Sequence, residues 1–241
     1  MGIVKTAREL TFFRKAAAIS NSCIPIIERA LREEGVTERE ISRRVRREIY
    51  RCGGRMSFRT LVASGPRSAM IHAKPSATDA VVAGIGYVDF GASYMGYKSD
   101  VTVPFVKGKV GARERKIVRT VEQAYNIAVR RWRIGAPCWK THEAADDHIR
   151  SRGLRMGHAV GHGLGTRIHE RPLIAKPRKR LTGKKLEIWK KMKKVVFGPG
   201  MVFTIEPGAY VKGVGGSRLE NTFLADGGRL KCLTRAKLIE V

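Results

Sequence analysis

The stretch Val81–Phe105, VVAGIGYVDFGASYMGYKSDVTVPF, decides how this chain is read. It is dense in Val, Tyr and Phe and carries a turn near Tyr94-Met95-Gly96, the composition of a β-hairpin. A hairpin that closes symmetrically about Tyr94 and Met95 sets Asp89 directly opposite Asp100 on one face. Carboxylates so opposed lie ~5 Å apart and repel. Their apolar neighbours Val88, Phe90 and Val101 predict burial, where like charges share either a proton or a cation. Taken alone, the pair also fits an exposed hairpin with two unrelated acids.

On the N-terminal side of the hairpin, apolar residues fall at helical spacing from Thr6 to about Glu34, with Pro25 predicting a kink or a break into two helices. Thr37-Glu38-Arg39-Glu40 has the form of a capping box and starts a second helix. Residues Phe58 to Ser64 read as a strand. The second half repeats the order: a helix from about Arg113 to Arg133, a shorter one from Thr141 to Arg152, then glycine-punctuated strands. Helices leading each half, with strands behind, predict an α+β fold of internal pseudo-symmetry. Halves of about 1–110 and 111–241 are expected to share one core.

Lys and Arg outnumber Asp and Glu by 48 to 21, a formal charge of +27. Such an excess favours polyanion partners and says nothing about fold. It is concentrated between about 175 and 197, where Lys176-Pro177-Arg178-Lys179-Arg180 precedes a possible basic helix from Lys184 to Val196. That stretch reads either as a solvated insertion or as a contact surface for RNA or a ribosome. No apolar run is long enough to cross a bilayer, and the N-terminus lacks the apolar core of a secretion signal. Cys23, Cys52, Cys138 and Cys232 form no C-x-x-C pair, which suits reduced thiols and a cytoplasmic location.

Two further clusters carry polar chemistry. Between Met156 and Pro172 stand His158, His162 and His169, interleaved with four glycines that predict close approach of backbone and ligand. Glu206 ends the apolar run Val202–Ile205, where a charge without a partner is costly, and Glu220 alternates with Arg218 and Thr222.

The three clusters, in this order, resemble the pita-bread metallopeptidases: methionine aminopeptidase, Xaa-Pro aminopeptidase and prolidase. The resemblance runs from the Thr6-Ala7-Arg8-Glu9-Leu10 opening to Leu233-Thr234. It implies a single pita-bread catalytic domain over 1–241 and five metal ligands: Asp89, Asp100, His162, Glu206 and Glu220. It also gives His72, in Ile-His-Ala, and His169, in Ile-His-Glu, substrate-side counterparts. His158, four residues before His162, is similar to the His-x-x-x-His-Gly-x-Gly form of the proline-directed branch, as are Ala63-Ser64-Gly65-Pro66 and Gly216-Ser217-Arg218-Leu219-Glu220. The length, by contrast, resembles a minimal methionine aminopeptidase, so the extra N-terminal domain of the proline-directed branch is expected to be missing. Asn221 stands where the family usually has Asp, with little expected effect on metal loading.

What the resemblance implies is an aminopeptidase of Xaa-Pro type, using two divalent ions (Mn, Co, Fe or Zn) and a metal-bridged hydroxide. Glu206 is the expected proton shuttle, His72 and His169 the donors to the reacting peptide, and His158 and Arg218 the groups orienting substrate and Glu220. A homodimer is its expected oligomer. The alternatives are initiator-methionine removal and a non-catalytic, nucleic-acid- or ribosome-binding pita-bread protein. His142-Glu143-Ala144-Ala145-Asp146 imitates a zincin helix but falls on an outer helix of the family.

Overall fold

A computed structural model describes residues 2–77, 80–176 and 181–241. Helix α1, Ala7–Arg32, starts at a full capping box: Glu9 N donates to Thr6 Oγ1 at 3.3 Å and Thr6 N to Glu9 Oε2 at 2.7 Å. It buries Phe13, Ala17, Ser20, Cys23 and Ile27. Of the kink or break expected at Pro25, the break does not occur: the helix runs on through it, and the ring lies on the exposed face, where water can serve the carbonyl left without an N–H. Helix α2, Glu38–Arg51, uses Thr37 as its cap, accepting from Glu40 N at 3.1 Å. The Glu40 side chain turns instead to Arg44, at 3.1 Å, so half of the predicted box forms.

Both helices cover a four-stranded sheet ordered Ile239–Glu240, Val101–Lys107, Gly84–Phe90, Leu61–Ser64. Helices α3, Ala112–Arg131, and α4, Trp139–Ser151, pack over the other half. Its five-stranded sheet runs Arg229–Cys232, Asn221–Asp226, Val202–Ile205, Gly161–Gly163, Glu170–Ile174. The α+β order and the paired halves are as predicted. The sheets meet at an antiparallel bridge, Thr102 to Glu220, and Thr222 Oγ1 donates to the Asp100 carbonyl at 2.7 Å beside it.

The hairpin register corrects the first expectation. Met95 and Gly96 both have positive φ, 51° and 86°, and form a two-residue turn of the kind that matches strand twist. The centre is therefore one residue later than predicted, and Asp89 faces Thr102, not Asp100. Moving the centre by one shifts the pairing by two, which preserves the face. Asp89 and Asp100 end up diagonal neighbours on the same side, 8% and 4% exposed.

Helix α5, Gly183–Met192, is shorter than the predicted basic helix, because the chain turns at Met192–Val195 and Val196 bridges Pro137. Of the basic stretch, residues 177–180 lie outside the described residues. All four cysteines are free thiols. Among the described residues no helix is long and apolar enough to cross a membrane.

Candidate metal centre

All nine residues singled out in the sequence line one cavity of about 290 Å³: His72, Asp89, Asp100, His158, His162, His169, Glu206, Arg218 and Glu220. Phe58, Leu61, Ile71, Ile168 and Leu173 supply an apolar wall that sequence reasoning did not assign.

His162 sits mid-strand between two glycines. A Cβ at Gly161 would collide with the Thr204 carbonyl, and one at Gly163 with the Arg171 carbonyl. These glycines admit the neighbouring strands rather than a ligand, which corrects the sequence reading. His162 Nδ1 lies 3.1 Å from the Gly163 carbonyl, an atom that only accepts, so Nδ1 carries the proton. Nε2 is left with its lone pair facing Glu206 Oε1 at 3.4 Å and Asp100 Oδ2 at 3.6 Å. Burial, then the neighbouring His169 ring, push the imidazole down to about 4, so it is neutral at pH 7.

The carboxylates shift the other way. Burial, followed by Glu220, Asp89 and Glu206, raises Asp100 well above the usual range. Glu220 rises through burial, then Glu206 and Asp89. Burial lifts Glu206 to about 8. Four acids face one guanidinium, and an uncompensated buried charge costs roughly several kcal/mol. Asp89 Oδ1 and Glu220 Oε1 are buried without a hydrogen-bond partner among the described residues. Ligand atoms of Asp100, His162 and Glu220 already lie within 4.8 Å of one another. Unsatisfied oxygens, an excess of acid and an imidazole lone pair fit a divalent cation.

Arg218 departs from expectation. Its Nη2 donates to Asp89 Oδ2 at 2.5 Å and it reaches Glu220 only through Thr102, whose Oγ1 accepts from Arg218 Nε at 3.1 Å. Thr102 in turn donates to Glu220 Oε2 at 2.7 Å. Burial works against the Arg218 charge, but Tyr210 and Asp89 outweigh it. Tyr210, missed in the sequence, sits 2.6 Å from Arg218 Nη1 and 3.0 Å from His158 Nε2. His72 and His169 are exposed at the mouth, the His169 ring 4.4 Å from that of His162. Asn221 points away, holding Tyr125 and the Thr234–Ala236 turn. His142 is buried in α4, accepting from Val160 N at 3.2 Å, outside the cavity.

A helix-covered pair of sheets meeting at a buried acid–histidine cavity defines a metallopeptidase of pita-bread architecture. The profile of Metallopeptidase family M24 matches residues 11–226, and the chain belongs to that family. It is 31% identical over 240 residues to a Xaa-Pro dipeptidase of Pyrococcus furiosus, covering 98% of this chain and 64% of that one. A prolidase structure from the same organism superposes with a TM-score of 0.85 at 31% identity, over 98% of this chain and 66% of that one. A methionine aminopeptidase from Thermotoga maritima, 21% identical, superposes at 0.82 over 98% of this chain and 100% of that one, a likeness of fold alone. The chain spans 64% of the length of the first curated relatives.

Proposed function

We propose that this chain is a metal-dependent aminopeptidase of Xaa-Pro type, acting as one catalytic unit. Asp89, Asp100, His162, Glu206 and Glu220 would hold two divalent ions, Mn, Co, Fe or Zn. The observation that carries the reading is the cavity itself: four acids, two of them with a buried unsatisfied oxygen, around the free Nε2 of His162. The names of the relatives, Xaa-Pro dipeptidase and prolidase, support proline-directed specificity.

Bound ions would supply a Lewis acid and a water ionised near neutral pH. Glu206 lines the cavity where that water would sit, and its carboxylate is the group suited to take up and return the proton. His169 and His72, at the mouth, donate to the carbonyl oxygen and peptide nitrogen of the first bond. His158, tied to Tyr210, orients the substrate, and Arg218 holds Asp89 and, through Thr102, Glu220. The apolar wall of Phe58, Leu61 and Ile168 keeps bulk water from these groups.

The test is a panel of Met-Ala and Xaa-Pro peptides with each ion. Metal-dependent release of the first residue from Xaa-Pro peptides supports the reading; preference for Met-Ala replaces it with methionine aminopeptidase. Inertness on every peptide overturns it. The charge of +27 favours a second role alongside the first, contact with RNA or a ribosome through Lys176 to Lys194. A cytoplasmic homodimer is the setting we propose for both.

A further inference from the structure

Leu173 and Ile188 are 44% and 50% exposed, and the chemistry above uses neither for a reaction step. They belong to a groove of about 350 Å³ beside the metal centre. One wall is Pro172 and Leu173; the other is Ile188, Met192 and Val195, from α5 and the turn that follows it. Arg171 and Lys191 complete the lining, and among the described residues neither makes an ion pair.

The groove adjoins the catalytic cavity. Leu173 lines both, and in the ladder it is the register partner of His162. The α5 wall is anchored to the body: Trp189 meets Trp139 edge-on at 6.0 Å, and Cys138 N donates to the Val195 carbonyl at 3.0 Å. An apolar trough fixed at its far end, sharing the Leu173 wall with the reaction cavity and lined by two cations, suits one kind of occupant.

We propose that this groove binds the part of a peptide substrate that follows the scissile bond. An apolar side chain packs against Ile188 and Met192, and a carboxylate, terminal or acidic, meets Arg171 and Lys191. The inference rests on the aminopeptidase reading. An aminopeptidase places one residue on the amino side of the cut, so any further length runs the other way. At about 290 Å³ the cavity is at the small end of ligand pockets, ~300–1,000 Å³, and a longer chain must leave it. Burying one leucine-sized side chain is worth on the order of tenfold or more in affinity.

The test compares kcat/KM for an Xaa-Pro dipeptide and an Xaa-Pro-Ala-Leu-Leu pentapeptide, as free acid and as amide, using Mn-loaded protein. The pentapeptide should lead by roughly tenfold. I188S/M192S should bring the pentapeptide-to-dipeptide ratio towards one, and K191E should remove the advantage of acid over amide. Ile188 lies on the surface, and circular dichroism checks that the double variant folds. A ratio near one in the natural protein, or one that the double variant does not move, overturns the groove. If neither peptide is cut with any ion, the aminopeptidase reading fails, and tryptophan emission decides the groove separately through Trp189. Pentapeptide quenching that the double variant abolishes keeps it as a peptide site; no quenching overturns it.

Discussion

In the cavity, Asp89, Asp100, His162 and Glu220 are each at most 8% exposed; His162 Nε2 lies 3.6 Å from Asp100, while Arg218 holds Asp89 and Thr102 holds Glu220. Along α5 and the turn after it, Lys184, Lys190, Lys193 and Lys194 stand in water, and the Lys190–Glu187 pair at 2.8 Å is more than half exposed on both sides. Acidic groups are concentrated where water is scarce; basic groups are spread where water is plentiful. Coulomb energy at 4 Å is ~1 kcal/mol in water and ~4 kcal/mol at an effective dielectric of 20. The same unit of charge therefore constrains the cavity several times more strongly than the surface, and substitutions in the two regions should separate accordingly.

Asp100→Ala or Glu206→Ala is expected to have the largest effect, loss of one bound ion and of nearly all turnover, about 10³-fold or more. Metal analysis and peptide hydrolysis read it; normal activity with full metal content in Asp100→Ala breaks the site assignment. His169→Ala should keep the metals and lower kcat by roughly 10²-fold, as loss of one oxyanion donor does elsewhere. An unchanged kcat removes His169 from the reaction. Thr102→Val leaves Glu220 and Arg218 without their shared hydroxyl and should weaken metal binding by about 10- to 100-fold. Equal affinity would mean that the hydroxyl does not orient Glu220.

Stripping the metal should expose the buried acids as a pH effect. Folded Glu206 lies at about 8 against an ordinary 4.5, so between those values the folded state holds a proton that the unfolded chain releases. Stability of the metal-free protein should then fall as pH rises from about 4.5 to 8. Asp100 and Glu220 shift in the same direction and steepen the fall. Melting temperature against pH, with and without chelator, measures it, and a metal-free profile flat over that range contradicts the picture. The smallest effect is expected at the surface: Lys184→Gln with Lys193→Gln and Lys194→Gln should change stability by no more than about 0.5 kcal/mol. RNA binding should weaken and lose salt dependence in that variant; binding indifferent to both would sever α5 from any nucleic-acid role.

The α+β order and the paired halves were legible in the element order, and eight of the polar residues lining the cavity stood in three distinctive clusters, whereas His72 was reached only through the family resemblance. The sequence carried face but not register at the hairpin, since a turn displaced by one residue still leaves Asp89 and Asp100 on one side. The threonines were legible and went unread. Thr102, Thr204 and Thr222 each stand two residues from Asp100, Glu206 or Glu220, the spacing that puts them on one strand face. Thr102 donates to Glu220, Thr204 to Glu206 at 3.3 Å, and Thr222 to the Asp100 backbone. What could not be read was partnership across the chain: that Arg218 would choose Asp89, 129 positions away, or that Tyr210 would join Arg218 to His158. Such pairings are fixed by tertiary packing and leave no local period.

The bridge between Thr102 and Glu220 has a mechanical meaning. It is the stitch between the two half-sheets, and Asp100 and Glu220 stand at its edge, one contributed by each half. A cation held by both, as proposed above, would act as a rivet through that stitch. Prying the halves apart would pull its ligands apart, and loading the ion would clamp the halves shut. On that reading, cohesion of the molecule and readiness of its reaction chamber would be a single variable.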